Sequence, residues 1–160
     1  MPQLRQLMIS AEDPVRLSTF YREVFELDQI EEVGGAVFLS DGVFSLALVP
    51  ESDSSKQGIR HIGFDTVRVE SLGKKLAQAG MASTDVTAVQ SVCGVEFELK
   101  DPDENLVGIC RRAFDVAYEE RPVPIRHIAL YTPDPRRMAD FYCKVFDMRE
   151  VEKTDRSSIF

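Results

Sequence analysis

Clustered positive charge is what this sequence most lacks: 19 basic residues stand against 27 acidic ones, a formal charge of −8. Nucleic acid and anionic lipid surfaces both require concentrated cations to displace their counterions, so neither is an expected partner. Long apolar runs are missing as well. The longest, such as Val43 to Val49, have the length of a strand, far short of the roughly 20 residues of a membrane-spanning helix. Cysteine is scarce and odd in number: Cys93, Cys110 and Cys143 show no CxxC spacing. That argues against a disulfide framework or a zinc ribbon and for buried or half-buried free thiols. Glycine-rich phosphate loops, a Ser-His-Asp order and a nucleophile elbow are all missing. The opening Met1-Pro2-Gln3-Leu4-Arg5 runs directly into a strand pattern without a charged-then-apolar leader, so the expected compartment is the cytoplasm.

What the chain does have is internal repetition. Asp13-Pro14, Phe20-Tyr21 and Val24-Phe25 recur as Asp134-Pro135, Phe141-Tyr142 and Val145-Phe146, at a constant offset of 121 residues. A shorter echo, Ile59-Arg60-His61-Ile62-Gly63, matches Ile125-Arg126-His127-Ile128-Ala129. Repetition of this length means a tandem array in which each copy is one supersecondary unit that buries its apolar face against a neighbour. At 160 residues, 44% of them hydrophobic, folding can bury roughly 70% of the unfolded chain's surface.

The first copy, residues 1–50, reads as βαβββ. Leu4 to Ser10 alternates like a strand, and Asp13 with Pro14 starts a helix whose stripe is Leu17, Phe20, Tyr21, Val24 and Phe25. Three strands follow, around Gln29 to Val33, Ala36 to Leu39 and Val43 to Val49, separated by Gly34-Gly35 and Asp41-Gly42, dipeptides suited to tight hairpins. The second copy, residues 58–112, has its helix from about Val67 to Ala79 and its last strands at Val95 to Lys100 and Asn105 to Cys110. Residues 113–124, with Pro122 and Pro124, read as a linker. A third copy over 125–160 opens with a strand at Ile125 to Tyr131 and a helix striped by Met138, Phe141, Tyr142, Val145 and Phe146. Strands at Arg149 to Lys153 and Ser157 to Phe160 follow, and nothing matching Leu39 to Val49 does; a fragment of a four-unit chain is the expectation.

A βαβββ unit used in pairs, with R-H-I on the first strand, D-P…F-Y…V-F on the helix and D-P-D-x-N at Asp101 to Asn105, resembles the vicinal oxygen chelate superfamily. Glyoxalases, bleomycin resistance proteins, methylmalonyl-CoA epimerase and type I extradiol dioxygenases belong to it. The resemblance implies an α+β fold in which two modules pair by their first strands into an eight-stranded, cup-shaped sheet with helices outside, plus the partial third module. It also implies a divalent metal (Fe, Mn, Zn or Ni) held in the cup by His or Gln from first strands and Glu from last strands. Substrates of such a centre chelate it through vicinal oxygens.

Strand parity assigns the positions. Leu7, Ile9, Ile62, Phe64, Ile128 and Leu130 form helix-facing sets, which sends Gln6, His61 and His127 to the cup. In the last strands the cup positions are Ala47 and Gly108, where the resemblance implies carboxylates. One amide and one imidazole are too few ligands for a dication, so the first cup is expected to be degenerate and metal-free. The resemblance then makes His127 the first ligand of a second, catalytic pair. A cluster of His61, Glu98 and Gln6 is the alternative, as a metal site or as an acid–base pair in which Glu98 orients His61. The plainer readings are that Glu96 and Glu98 are solvated, that His61 is a hydrogen-bonded strand histidine, and that Asp101 and Asp103 do turn chemistry rather than bind calcium.

Two functions therefore remain open. One is a metal-dependent dioxygenase or lyase acting on a small molecule with vicinal oxygens. The other is a non-catalytic, antibiotic-type binding protein, whose acidic walls Asp65, Glu96 and Glu98 would suit a cation. A homodimer is expected through the third module, whose sheet would lack an interior strand and so invite strand addition or exchange.

Overall fold

The computed structural model describes residues 3–65, 69–81, 86–89, 94–110, 125, 127–154 and 156–160. Strand β1 (Gln3–Ala11) leads into helix α1 (Pro14–Phe25), started as expected by Asp13, whose carboxylate accepts from the Arg16 amide at 2.9 Å. Proline at the first helical position gives up an N–H that had no partner there. Strands β2 (Asp28–Val33), β3 (Ala36–Ser40) and β4 (Ser45–Pro50) complete the unit. Gly34 and Gly35, at φ 59° and 81°, supply the left-handed pair that a two-residue β2–β3 hairpin needs.

The second unit repeats the plan with β5 (Gly58–Asp65), α2 (Val69–Gln78), β6 (Thr87–Ala88), β7 (Phe97–Lys100) and β8 (Leu106–Cys110). All eight strands form one sheet in the order β2-β3-β4-β1-β5-β8-β7-β6. Within each unit the first strand runs parallel to the last, β1 with β4 and β5 with β8, and the units meet where β1 pairs antiparallel with β5. The α+β, eight-stranded architecture that the resemblance implies is the one observed. None of the helices among the described residues is long and apolar enough to cross a membrane.

Two cores lie on the helix side of the sheet. Leu27, Val37, Leu39, Leu46 and Leu48 form the first, with Leu17 and Tyr21 of α1 packed against it. The second is larger and joins Ile62, Phe64, Leu99, Val107 and Ile109 of the sheet to Leu72 and Leu76 of α2. Helix α3 (Pro135–Phe146) enters this second core with Phe141, Tyr142, Val145 and Phe146, and Phe146 stacks on Phe64 at a centroid distance of 4.0 Å. The third segment thus buries its helix on the second unit.

Polar contacts fix the segment to both units. Asp101 in the β7–β8 turn accepts the Tyr142 hydroxyl at 2.9 Å, and Asp41 in the β3–β4 turn accepts the Ile125 amide at 2.7 Å. Arg137 pairs with Asp103, and Lys75 of α2 pairs with Asp147 at the C-cap of α3. Burial, and then the neighbouring negative charge of Asp101, push the Tyr142 hydroxyl well above the usual tyrosine range, so it stays a donor throughout the working pH range.

Three expectations change. The strand foreseen at Ile125 to Tyr131 is not formed among the described residues: 125 and 127–131 have irregular backbone, and His127 and Tyr131 are exposed. First strands elsewhere in the chain are held on both sides, and the partners that would satisfy this one are not among the described residues. The strands after α3 shorten to β9 (Glu152–Lys153) and β10 (Ser158–Ile159), an isolated antiparallel pair. The stripe of α1 is only half used, because Phe20, Val24 and Phe25 remain exposed. The linker over 113–124 and Cys93 lie outside the described residues; Cys110 is buried and Cys143 half-buried, neither in a disulfide among the described residues.

Tyr142→Phe should cost about 1–2 kcal/mol in a denaturant melt, since it deprives a buried carboxylate of one donor. Asp101→Ala should cost more, because the same carboxylate also accepts the Asp103 and Asn105 amides.

Candidate functional site

The β1–β5 pairing decides what the concave face presents. Leu7 sits opposite Ile62, and Gln6 opposite Gly63, with Met8 opposite His61. Because Ile62 and Phe64 point into the helix-side core, His61 points the other way. A Cβ placed on Gly63 would meet the Gln6 Cβ at 2.8 Å, so the absence of a side chain at Gly63 is what lets Gln6 lie across the strand toward His61. Gln6 is 3% exposed and His61 2%, and the Gln6 Oε1 lies 3.1 Å from His61 Nε2. With the amide oxygen facing it, Nε2 carries the proton and donates.

The other ring nitrogen, Nδ1, stands 3.8 Å from Glu98 Oε1, beyond hydrogen-bond length. Glu98 projects from β7 on the concave side, its neighbours Phe97 and Leu99 packing in the helix-side core. The three residues foreseen as a cluster, His61, Gln6 and Glu98, are therefore brought together. Asp65 is not with them: it pairs with Gln3 and Cys110 at the opposite end of β5 from Leu106, the partner of His61. His127 does not join either, being exposed on irregular backbone.

Electrostatics limit what the cluster can do. Burial first, and the positive charge of Arg60 second, lower the His61 pKa to about 4. At neutral pH the ring is then almost wholly neutral and a weak base, poorly matched to proton transfer near pH 7. The Gln6–His61 bond holds a neutral imidazole in place.

The last-strand positions explain the rest. Val107 and Ile109 face the helices, and Gly108 faces His61; a Cβ on Gly108 would come within 3.1 Å of Val95 Cγ2 and 3.2 Å of His61 Nε2. In the first unit Ala47 packs with Phe38 and Ala36, all 0–2% exposed, with Met8 and Val49 against them. The concave face is thus apolar and closed around Phe38, and filled by Val95 beside His61. Val95 was not foreseen from sequence, nor was Ser45, buried across from Gln6 with no hydrogen-bond partner for its Oγ among the described residues. The only cue for Val95 was indirect, the small residue at Gly108 whose space it takes. Among the described residues no group of three His, Cys, Asp or Glu side chains is placed to hold a metal ion.

Residues 3–109 and 125–159 match the family profile described as the Glyoxalase/Bleomycin resistance protein/Dioxygenase superfamily. The chain belongs to that superfamily. No curated protein sequence matches it. Among solved structures, a Mn(II)-bound glyoxalase from Novosphingobium aromaticivorans superposes with a TM-score of 0.71 at 20% identity, covering 92% of this chain and 53% of that one. BphC, a halotolerant catechol dioxygenase, gives 0.63 at 18% identity, covering 92% and 55%. A methylmalonyl-CoA epimerase variant from Streptomyces coelicolor in complex with 2-nitronate-propionyl-CoA gives 0.51 at 18% identity, covering 69% and 96%. At such identities the likeness is one of fold. The chain spans about half the length of the glyoxalase and the catechol dioxygenase.

The glyoxalase neighbour holds Mn(II), and the described residues on the concave face of this first pair do not fit such an ion. Among the described residues the donors beside one another there are a buried imidazole already bonded to Gln6 and a single carboxylate 3.8 Å away. The space a second carboxylate would need at Gly108 is taken.

Lowering the His61 pKa from 6.5 to about 4 makes the unfolded chain bind more protons in that window. Stability is therefore full above pH 6.5 and falls as pH drops toward about 4, by roughly 2–3 kcal/mol. Chemical denaturation across this range should show the slope, and His61→Gln should remove most of it. Gly108→Ala should destabilise by about 1–3 kcal/mol through overpacking, with Val95→Ala in the same chain restoring part of the loss.

Proposed function

We propose that the two complete units are a metal-free structural pair within a larger enzyme of the superfamily. Its chemistry, that of an oxidoreductase or lyase on a small molecule with vicinal oxygens, lies in the third unit and a fourth that follows. The observation that carries this reading is the crowding at Gly108, where Val95 and His61 occupy the place a last-strand carboxylate would need. Support comes also from the neutral, tied-up state of His61. The lengths of the glyoxalase and the catechol dioxygenase, about twice that spanned here, leave room for another pair of units. In this reading His127 is a ligand of a divalent metal, Fe, Mn, Zn or Ni, once a strand forms over 125–131 and turns it into the second concavity. His61, Gln6 and Glu98 hold the first pair together rather than act on substrate.

The binding-protein alternative draws less support. Its cation would need an open acidic groove, and among the described residues the concave face is closed around Phe38 and Ala47, with Asp65 apart from Glu98.

Elemental analysis of the natural full-length protein tests the proposal. His127→Ala should strip the bound divalent metal, whereas His61→Ala should leave its stoichiometry unchanged. A metal that survives His127→Ala, or one lost with His61, would overturn the assignment. The 160-residue chain should melt at the same temperature with and without chelator, because the described residues of the first pair bring no three candidate ligands together.

A further inference from the structure

Helices α1 and α3 share a residue pattern and differ in fate. At the offset of 121, Arg16, Phe20, Tyr21, Val24 and Phe25 correspond to Arg137, Phe141, Tyr142, Val145 and Phe146. On α3 the four apolar and aromatic side chains are 0–5% exposed. On α1, Phe20 is 49% exposed, Val24 55% and Phe25 38%, the aromatic rings in contact with one another: Phe20 lies 5.3 Å from Tyr21 and 5.8 Å from Phe25. Even the helix ends agree, with Glu26 and Asp147 both left-handed at φ 54° and 55°.

What buries α3 is the second unit, by a defined set of contacts. Phe64 on its first strand stacks on Phe146, Leu72 and Leu76 of α2 close the core, Asp101 takes the Tyr142 hydroxyl, and Asp103 takes Arg137. Helix α1 carries the matching half of this set. Among the described residues the Arg16 guanidinium is in no ion pair and the Tyr21 hydroxyl in no hydrogen bond, while Tyr21's ring already leans on the first unit's core. An apolar, aromatic helix face flanked by an available arginine and a phenol is expensive to leave in water.

We propose that α1 is the docking helix for a further βαβββ unit, built like the second and supplied by the same polypeptide after Phe160. That unit presents an aromatic side chain on its first strand, an apolar helix stripe, and two carboxylates in its last hairpin, one for Tyr21 and one for Arg16. A second copy of the chain does not offer this seat, since its second unit is already occupied by its own α3. The share of the relatives' length left unspanned, with 53% and 55% covered, has room for it. The proposal rests on the reading that a fourth unit completes the third. It adds that the same unit closes the assembly back onto the first.

Hydrogen exchange on the natural full-length protein and on the 160-residue chain tests it. Amides over residues 18–25 should exchange at least about 100-fold more slowly in the full-length protein, independently of concentration. Phe20→Asp with Val24→Asp should abolish that protection and lower the full-length protein's Tm, while leaving the Tm of the 160-residue chain unchanged. Arg16→Glu should reduce the protection about tenfold, the loss of one ion pair flanking a desolvated face. Equal exchange in the two proteins, protection that appears only with rising concentration, or a natural chain that ends at Phe160 would each overturn the proposal. Loss of metal on mutating His127 reads the functional proposal separately, because it does not require α1 to be covered.

Discussion

Strands β1 and β5 are each held on both edges, by their own unit's last strand on one side and by one another on the other. This antiparallel seam converts two four-stranded units into one continuous sheet, with no open edge at the middle for water or another chain to enter. It also fixes parity. Once Leu7 and Ile62 are directed into the helix-side cores, Gln6 and His61 have only the concave side to occupy, and Gly63 leaves the room in which they meet. A one-residue slip along the seam would send the imidazole into the hydrophobic core and an isoleucine into the concavity.

Local chemistry written into the sequence carried most of the way to this fold. The caps at Asp13 and Asp134, the prolines after them and the Gly34-Gly35 hairpin act through contacts within a few residues, so reading them needs no knowledge of what lies across the sheet. Repetition made the βαβββ units legible, and the family resemblance supplied the pairing of their first strands at the seam. The strand at Ile125 to Tyr131 failed for the complementary reason. Its residues alternate as well as those of β1, but alternation is a statement about faces, and a strand also needs neighbours for its amides. The half-exposed stripe of α1 misled in the same way: periodicity says that a face wants burial without saying by what.

The candidate site was legible in membership and illegible in state. Parity gathered His61, Gln6 and Glu98, and the family resemblance marked Ala47 and Gly108 as the places where carboxylates were missing. The 3.8 Å gap to Glu98, the lowered pKa of His61 and the intrusion of Val95 depend on packing between residues far apart in sequence, where no short-range pattern operates. With no side chain at Gly108, the space beside His61 is taken by Val95, as expected of an interior packed to crystal-like density. Placing a carboxylate at Gly108 would therefore require at least one further substitution, at Val95.

Asp101 binds two structures at once. One of its oxygens closes the β7–β8 turn by accepting the Asp103 and Asn105 amides, while the other takes the Asn105 side chain and the hydroxyl of Tyr142. Opening that hairpin would strand the phenol in the core, and withdrawing α3 would strip the hairpin of one of its anchors. The third segment and the second unit are consequently coupled in their unfolding, through this carboxylate and through the core that Phe146 shares with Phe64. The seam between repeats that is plain in the sequence is blurred as a boundary in the energetics.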